Sequence, residues 1–371
     1  MPENVTPVPF LDLTAQFREL ESEWLEAVRA AGSRGSFILG PQVSAFEREF
    51  ADYVGVKHAI AVANGTDSLV LSLRAMGIGP GDEVITTPFT FFASSEAIDV
   101  VGATPVFADI LPDSFNLDPA SVRRCVGPKT RAILPVHIFG RAADMDAIME
   151  IAAERGLAVV EDCAQAFGSR SGGRVTGSIG TTGSFSFYPT KVLGAYGDGG
   201  MITTSSPQID EHVRRLRNHG AVKPFIHAEV GCNSRLDEIQ AAALRIKLRS
   251  IDAAIAGRRR VAEAYDRRFS GTPVRRPEPG AAGAHVYNLY TIRTPRRDRV
   301  RQLLTDRQIG SSLCYPQGLH LQDVYRRLGH QPGSLPVCEQ AATEVLSLPI
   351  YPGMPDTHIA LVCDTVLEAV G

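Results

Sequence analysis

"HAIAVANGTDSLVLSLRAMG", residues 58–77, holds two hydrophobic periods back to back. Its first eight residues form an apolar run that ends on Asn-Gly, which reads as a short strand closing in a turn. From Thr66 onward, Leu69, Leu73 and Met76 recur at three- and four-residue intervals, the spacing of one helix face, and the pattern stops at Gly77. A strand that feeds straight into a helix is half of a βαβ unit.

The alternation continues along the chain. "GPGDEVITT", "TPVFADI", "RAILPVHI", "LAVVED" and "GSFSF" read as a turn and further short strands, and "ASSEAIDVVGA", "DPASVRRCV" and "DMDAIMEIAAERG" between them carry helical spacing. Residues 37–203 therefore predict an α/β domain with a mostly parallel central sheet flanked by helices. A run of good helix formers over 236–269 predicts one long helix leading out of it. Beyond a Pro/Gly-rich connector, "HVYNLYTIR" and helical segments around 298–307, 337–345 and 356–369 predict a smaller α+β C-terminal domain. The expected division is 1–245 for the large domain with its N-terminal arm and 246–371 for the small one.

Composition narrows the function. The 371 residues include 38 Lys plus Arg against 41 Asp plus Glu, a net charge of −3 that gives no electrostatic reason to expect nucleic acid or an anionic membrane. A small-molecule substrate is expected instead. The opening residues lack a basic region and an apolar core, and no stretch approaches the roughly 18 apolar residues of a membrane span. A cytoplasmic protein is the expectation. Six cysteines are scattered without a CxxC pair, so reduced core thiols and no metal site are expected.

Ligands of such sheets gather where the strands end, and one segment there concentrates chemistry: "SFSFYPTKVLGAYGDGG", residues 184–200, around Lys191. A phosphate loop needs its glycines before the lysine, and here they follow it. The dinucleotide fingerprint is also missing. Asp162, closing an apolar strand, needs a cation or good donors. A lysine amine paired with an aspartate on a pyridinium nitrogen is what pyridoxal phosphate chemistry requires. Gly65 and Thr66 open a helix whose N-terminus suits the phosphate, although a helix cap by Thr66 or Asp67 explains the same residues. Phe91 is the candidate to cover the ring. The glycines after Lys191 are expected to give it room and tight turns. His137 and His219 read as core or loop histidines, and the arginine runs at 214–217 and 258–260 as solvated helix faces.

These pieces resemble the DegT-type nucleotide-sugar aminotransferases, fold-type I enzymes of pyridoxal 5'-phosphate. The resemblance runs from "PFLDLTAQ" to "LSLPIYPGM", through "NGTDSL", "PFTFFAS", "PVHIFG", "EDCAQAFGS", "FSFYPTKVLGAYGDGG", "LRNHG", "NSRLDEIQAA" and "YPQGLHLQ" in family order. It implies Lys191 as the Schiff-base lysine and proton shuttle. Asp162 is implied on the pyridinium nitrogen, Gln165 on the phenolic oxygen, and Phe91 stacked on the ring. Gly65, Thr66 and Ser186 are implied on the phosphate, with Asn233 reaching it from the neighbouring subunit of a homodimer that shares its active sites. Tyr188 and His320 match positions that face the sugar nucleotide. No strong second cation for the amino donor's distal carboxylate stands out in the sequence, and Arg235 is the candidate.

A related dehydratase branch has histidine at the position of Lys191, so lysine implies transamination, with glutamate as donor. The sequence Asn233-Ser234-Arg235 is most similar to the branch that aminates carbon 3 of dTDP-3-keto-6-deoxyhexoses. Carbon 4 amination, a UDP-sugar or aminocyclitol substrate, and a non-catalytic cofactor-binding regulator stay open.

Overall fold

The computed structural model describes residues 7–371. Its elements run α1 (Leu13–Arg34), α2 (Pro41–Val54), β1 (His58–Val62), α3 (Gly65–Ala75), β2 (Glu83–Thr86), α4 (Ala93–Val100), β3 (Thr104–Phe107), α5 (Pro119–Cys125), β4 (Thr130–Leu134), α6 (Met145–Arg155) and β5 (Ala158–Asp162). A two-residue hairpin, β6 (Arg170–Ser171) and β7 (Arg174–Val175), precedes β8 (Thr182–Ser186), β9 (Gly200–Thr204) and α7 (Pro207–Leu216). Then come a second small hairpin, β10 (Ala221–Lys223) and β11 (Ile226–His227), and the helices α8 (Glu238–Leu248) and α9 (Ile251–Phe269). The chain closes with β12 (Tyr290–Arg293), α10 (Arg297–Asp306), α11 (Pro336–Glu344), β13 (Val345–Leu348) and α12 (Asp356–Val370).

Seven strands make the central sheet in the order β1-β9-β8-β5-β4-β2-β3. Strands β3, β2, β4, β5 and β8 pair in parallel, as the βαβ pattern predicts. Strand β9 runs against both of its neighbours, β1 and β8, and is the sheet's one antiparallel member. Its five residues "GMITT" are all buried, the mark of a strand covered on both faces.

The predicted long helix is two. At Ser250 the backbone leaves helical geometry (φ −111°, ψ 12°), and Ser250 Oγ turns back to the Lys247 carbonyl at 3.3 Å. A serine hydroxyl competes in this way with the helix's own hydrogen bonds.

The second core is separate from the sheet. Val261, Tyr265 and Phe269 of α9 pack with Tyr290 and Ile292 of β12 and with Val362 and Val366 of α12. Part of the C-terminal region nonetheless belongs to the first core: Leu319, Cys338 and Ala341 pack with Phe107 and Leu134. The arginine runs also depart from a solvated reading. Arg214 and Arg217 both donate to Glu47, at 2.9 and 2.7 Å, and tie α7 to α2. Arg258 is buried.

Candidate active site

Four strand ends supply the site. After β1, Asn64 is extended (φ −164°) and its Oδ1 accepts from Asp67 N at 2.8 Å, so Asn64, rather than Thr66 or Asp67, caps α3. The first-turn N–H groups of Gly65 and Thr66 have no intrahelical acceptor and stand at the positive end of the helix dipole. A Cβ built on Gly65 would lie 2.7 Å from Ser186 Cβ. Glycine there lets α3 begin against the end of β8 and sets the Ser186 hydroxyl beside those amides. Amides, a dipole and a hydroxyl at one point fit a phosphate.

Asp162 closes β5 and is 5% exposed. Its Oδ2 accepts from Ser94 Oγ at 2.8 Å and its Oδ1 from Ala164 N at 3.1 Å. Ser94 Oγ is in turn 3.0 Å from Thr90 Oγ1, in the loop after β2. Burial pushes the Asp162 carboxyl up, against the pull of Ser94, Ala164 N and the charge of Lys191. Burial likewise pushes the Lys191 amine down, against the field of Asp162. The two groups sense one another, and a pyridinium N–H would give Asp162 the cation that its enclosure calls for.

The lysine loop is closed by hydrogen bonds from Lys191 N to Tyr188 O (2.9 Å), Ala195 N to Phe187 O (2.8 Å) and Phe187 N to Gly199 O (2.8 Å). Tight turning is not what its glycines contribute, since none of the four after Lys191 has a left-handed φ. They permit close approach: a Cβ on Gly194 would meet Pro189 O at 2.4 Å.

Gln165 is held on both sides. Its Oε1 accepts from Phe139 N at 2.8 Å, which fixes the amide's orientation, and its Nε2 donates to the Tyr315 hydroxyl at 2.8 Å. One Nε2 hydrogen is left for a phenolic oxygen. Both neighbours, Phe139 and Tyr315, sit at positive φ (57° and 66°), a strain typical of functional sites. Among the three phenylalanines of "PFTFF", Phe89 is sealed in the core while Phe91 is 63% exposed and free to cover a ring.

Tyr188 is exposed. His320 is 1% exposed, with Nε2 3.2 Å from Glu339 Oε1, and so offers a ligand no surface in this chain, against its expected place facing a sugar nucleotide. Asn233 is exposed, and the next residue, Ser234, accepts from Ala63 N at 3.1 Å. Arg235 has an enclosed Nε without a partner. Ser94, Thr90 and Tyr315 carry little signal in the sequence beyond the hydroxyls of "PFTFFAS" and the tyrosine of "YPQGLHLQ".

His137, Glu161 and Cys163 bring possible metal-ligating atoms within 4.8 Å. Ala143 N occupies His137 Nδ1, and His137 Nε2 faces Glu161, whose oxygens also accept from Gly177, Ile179 and Gly180 N. With these partners in place the group is a hydrogen-bonded brace behind β5.

A strand-end lysine coupled to a buried aspartate, beside a helix-start phosphate cradle and an exposed aromatic, defines a fold-type I enzyme of pyridoxal 5'-phosphate. Comparison with known proteins gives the family. Residues 18–367 match the DegT/DnrJ/EryC1/StrS aminotransferase family, and the chain belongs to it. A pleiotropic regulatory protein of Geobacillus stearothermophilus is 44% identical, covering 97% of this chain and 98% of its own. The dTDP-3-amino-3,4,6-trideoxy-alpha-D-glucose transaminase of Streptomyces venezuelae is also 44% identical, over 97% of this chain and 96% of its own. Among solved structures, S. venezuelae DesV in complex with a ketimine intermediate superposes with a TM-score of 0.95 at 43% identity, covering 98% of both chains.

Proposed function

We propose that this aminotransferase moves an amino group from glutamate to dTDP-3-keto-6-deoxyhexose, giving the 3-amino-3,6-dideoxyhexose. The observation that carries transamination is Lys191 in the loop after β8, with the buried Asp162 closing the adjacent strand β5. The substrate reading is supported by the 44% identity to a dTDP-amino-sugar transaminase. When bound, pyridoxal 5'-phosphate supplies an aldehyde to accept the amino group and a ring to take up electron density. Lys191 Nζ, its charge disfavoured by burial, holds the cofactor, then takes and returns the proton at the substrate carbon. Asp162 keeps the ring nitrogen protonated, Gln165 donates to the phenolic oxygen, and Phe91 covers one face. Gly65, Thr66 and Ser186 hold the phosphate, and Tyr188 borders the sugar.

The working unit is a homodimer in the cytoplasm, with Asn233 crossing to the neighbour's phosphate. Exposed Asn233 and the bare apolar hairpin at Phe225 support that assembly. No helix among the described residues is long and apolar enough to cross a membrane. The chain divides near residue 245, a reading supported by the separate core around Tyr265 and Ile292.

The test is to convert the enzyme to its pyridoxamine form, offer 3-keto and 4-keto sugar nucleotides on dTDP and UDP, and watch the aldehyde absorbance return. Return with dTDP-3-keto sugars is expected; return with the 4-keto set alone moves the reaction to carbon 4. The name of the Geobacillus relative raises a second reading, a cofactor-binding regulator. Absence of any half-reaction with an amino acid would decide for it.

A further inference from the structure

Arg258, expected on a solvated helix face, is 4% exposed. Its Nη1 donates to the carbonyls of Tyr287 at 3.2 Å, Asn288 at 3.4 Å and Ile350 at 3.1 Å. Among the described residues these carbonyls are its only hydrogen-bond partners, and burial pushes the guanidinium down to about 10 with no carboxylate to oppose it. Among the described residues its Nε and Nη2 make no hydrogen bond, and neither is sealed off. An enclosed cation without a counter-charge is costly, and two open donors make a fork of the kind that carboxylates fit.

Those donors belong to a residue that lines a cavity of about 660 Å³, and Lys191 lines the same cavity. Lys247 lines it too, 5% exposed, donating to Gly194 O at 2.7 Å, 4.0 Å over the Tyr196 ring and pushed down by burial to about 8. Two carboxylates, Asp12 and Glu19, share the lining, and Asp12 already caps α1 through Thr14 N and Ala15 N. Arg235 does not line this cavity. Lys247 lies in the last turn of α8 and Arg258 in α9, on either side of the break at Ser250, and Lys247 Nζ is already engaged by Gly194 O and the Tyr196 ring. Arg258 is the one tied to the cofactor side. It grips the Asn288 carbonyl, and Asn288 N and Gln165 O both crowd Gly140, where a Cβ would lie 2.8 and 3.0 Å from them.

We propose that Arg258 receives a carboxylate of the amino donor in the cavity beside Lys191, with Lys247 adding positive potential. The inference rests on the transaminase reading. Calorimetric titration of the pyridoxal-form holoenzyme with glutarate, and separately with thymidine diphosphate, tests it in the wild type, Arg258→Gln, Arg258→Lys and Arg235→Gln. Both Arg258 variants are expected to weaken glutarate tenfold or more, Arg258→Lys less than Arg258→Gln, and to leave thymidine diphosphate within twofold. The glutamate concentration that half-saturates loss of the aldehyde absorbance should rise in step.

Unchanged glutarate binding, or weakening confined to thymidine diphosphate or to Arg235→Gln, overturns the proposal. If neither Arg258 variant folds, a crystal structure of wild-type holoenzyme with glutarate decides. A carboxylate within hydrogen-bond distance of the Arg258 guanidinium upholds the assignment, and a carboxylate elsewhere overturns it. A wild type that binds glutarate at Arg258 yet turns over no amino acid would sink the transaminase reading and leave the site standing.

Discussion

Asp162 has a hydroxyl partner within the chain itself. Ser94 Oγ reaches its Oδ2 at 2.8 Å and is itself steadied by Thr90 Oγ1 at 3.0 Å. A hydrogen bond to a charged acceptor is worth about 1.5–3 kcal/mol, which at a tenfold per 1.4 kcal/mol is enough to govern a rate. Ser94 acts through Asp162, so it is a positioning residue. Ser94→Ala is expected to lower kcat about tenfold while the protein still binds cofactor, because a less firmly held carboxylate stabilises a protonated ring less. The pH at which the bound cofactor's absorbance titrates should fall, and Ser94→Thr should restore both readouts. An unchanged titration in Ser94→Ala would reduce the serine to a packing role. The sequence points to Asp162 through its place at a strand end, but hydroxyls as common as Ser94 and Thr90 carry no comparable mark. The meeting of Ser94 with Asp162 across 68 residues is made by the sheet.

At the scale of elements, β5 and the turn before β8 are joined by Glu161. This carboxylate is sealed from solvent, takes three backbone N–H groups and faces His137 Nε2 at 3.1 Å. Burial pushes it up, yet His137 and the amides outweigh that, and it lies below the ordinary glutamate range. A carboxylate whose folded value is depressed adds stability in full above its unfolded value, near 4.3, and loses it as pH falls through the folded one. Glu161→Gln is therefore expected to cost about 3 kcal/mol at pH 7, the scale of a broken buried pair, and progressively less below about pH 4. Urea unfolding of both proteins at pH 7 and in acid measures it; an equal gap at every pH would remove ionisation from the explanation.

Elements were legible to different degrees for related reasons. Strands β1, β2, β3, β4, β5 and β8 announce themselves because each is a short apolar run bounded by turn residues. Strand β9 follows directly on the glycines of the lysine segment and reads as their continuation. The break at Ser250 hides inside good helix formers, because one serine hydroxyl is enough to divert the backbone. Helix α1 buries only Ala31 of its 22 residues and so lacks the wide apolar stripe by which helices are found. Arg258 is hidden because charge in a helix pattern normally means solvent, and only the fold shows the carbonyls around it.

For the whole molecule, the surface that matters is the one left bare. Phe225 is 97% exposed at the tip between β10 and β11, with Val230 at 84% and Ile226 at 56% close by in the chain. Clustered exposed apolar side chains mark an interaction surface, and a second copy of the chain is the occupant that the shared-site reading requires. Sedimentation equilibrium is expected to give twice the chain mass, and Phe225→Asp to shift the balance toward monomer with parallel loss of activity. Sharing itself has a sharper test. Lys191→Ala should be inactive, and Asn233→Ala should lose most activity through a loosened phosphate. In a mixed dimer one site carries both defects, while the other takes Lys191 from one chain and Asn233 from its partner and is intact. An equimolar mixture, after exchange of subunits, should therefore recover about one quarter of wild-type activity, since half the dimers are mixed and half their sites are whole. Activity no higher than the mean of the two variants would place Asn233 and Lys191 of the same chain in one site.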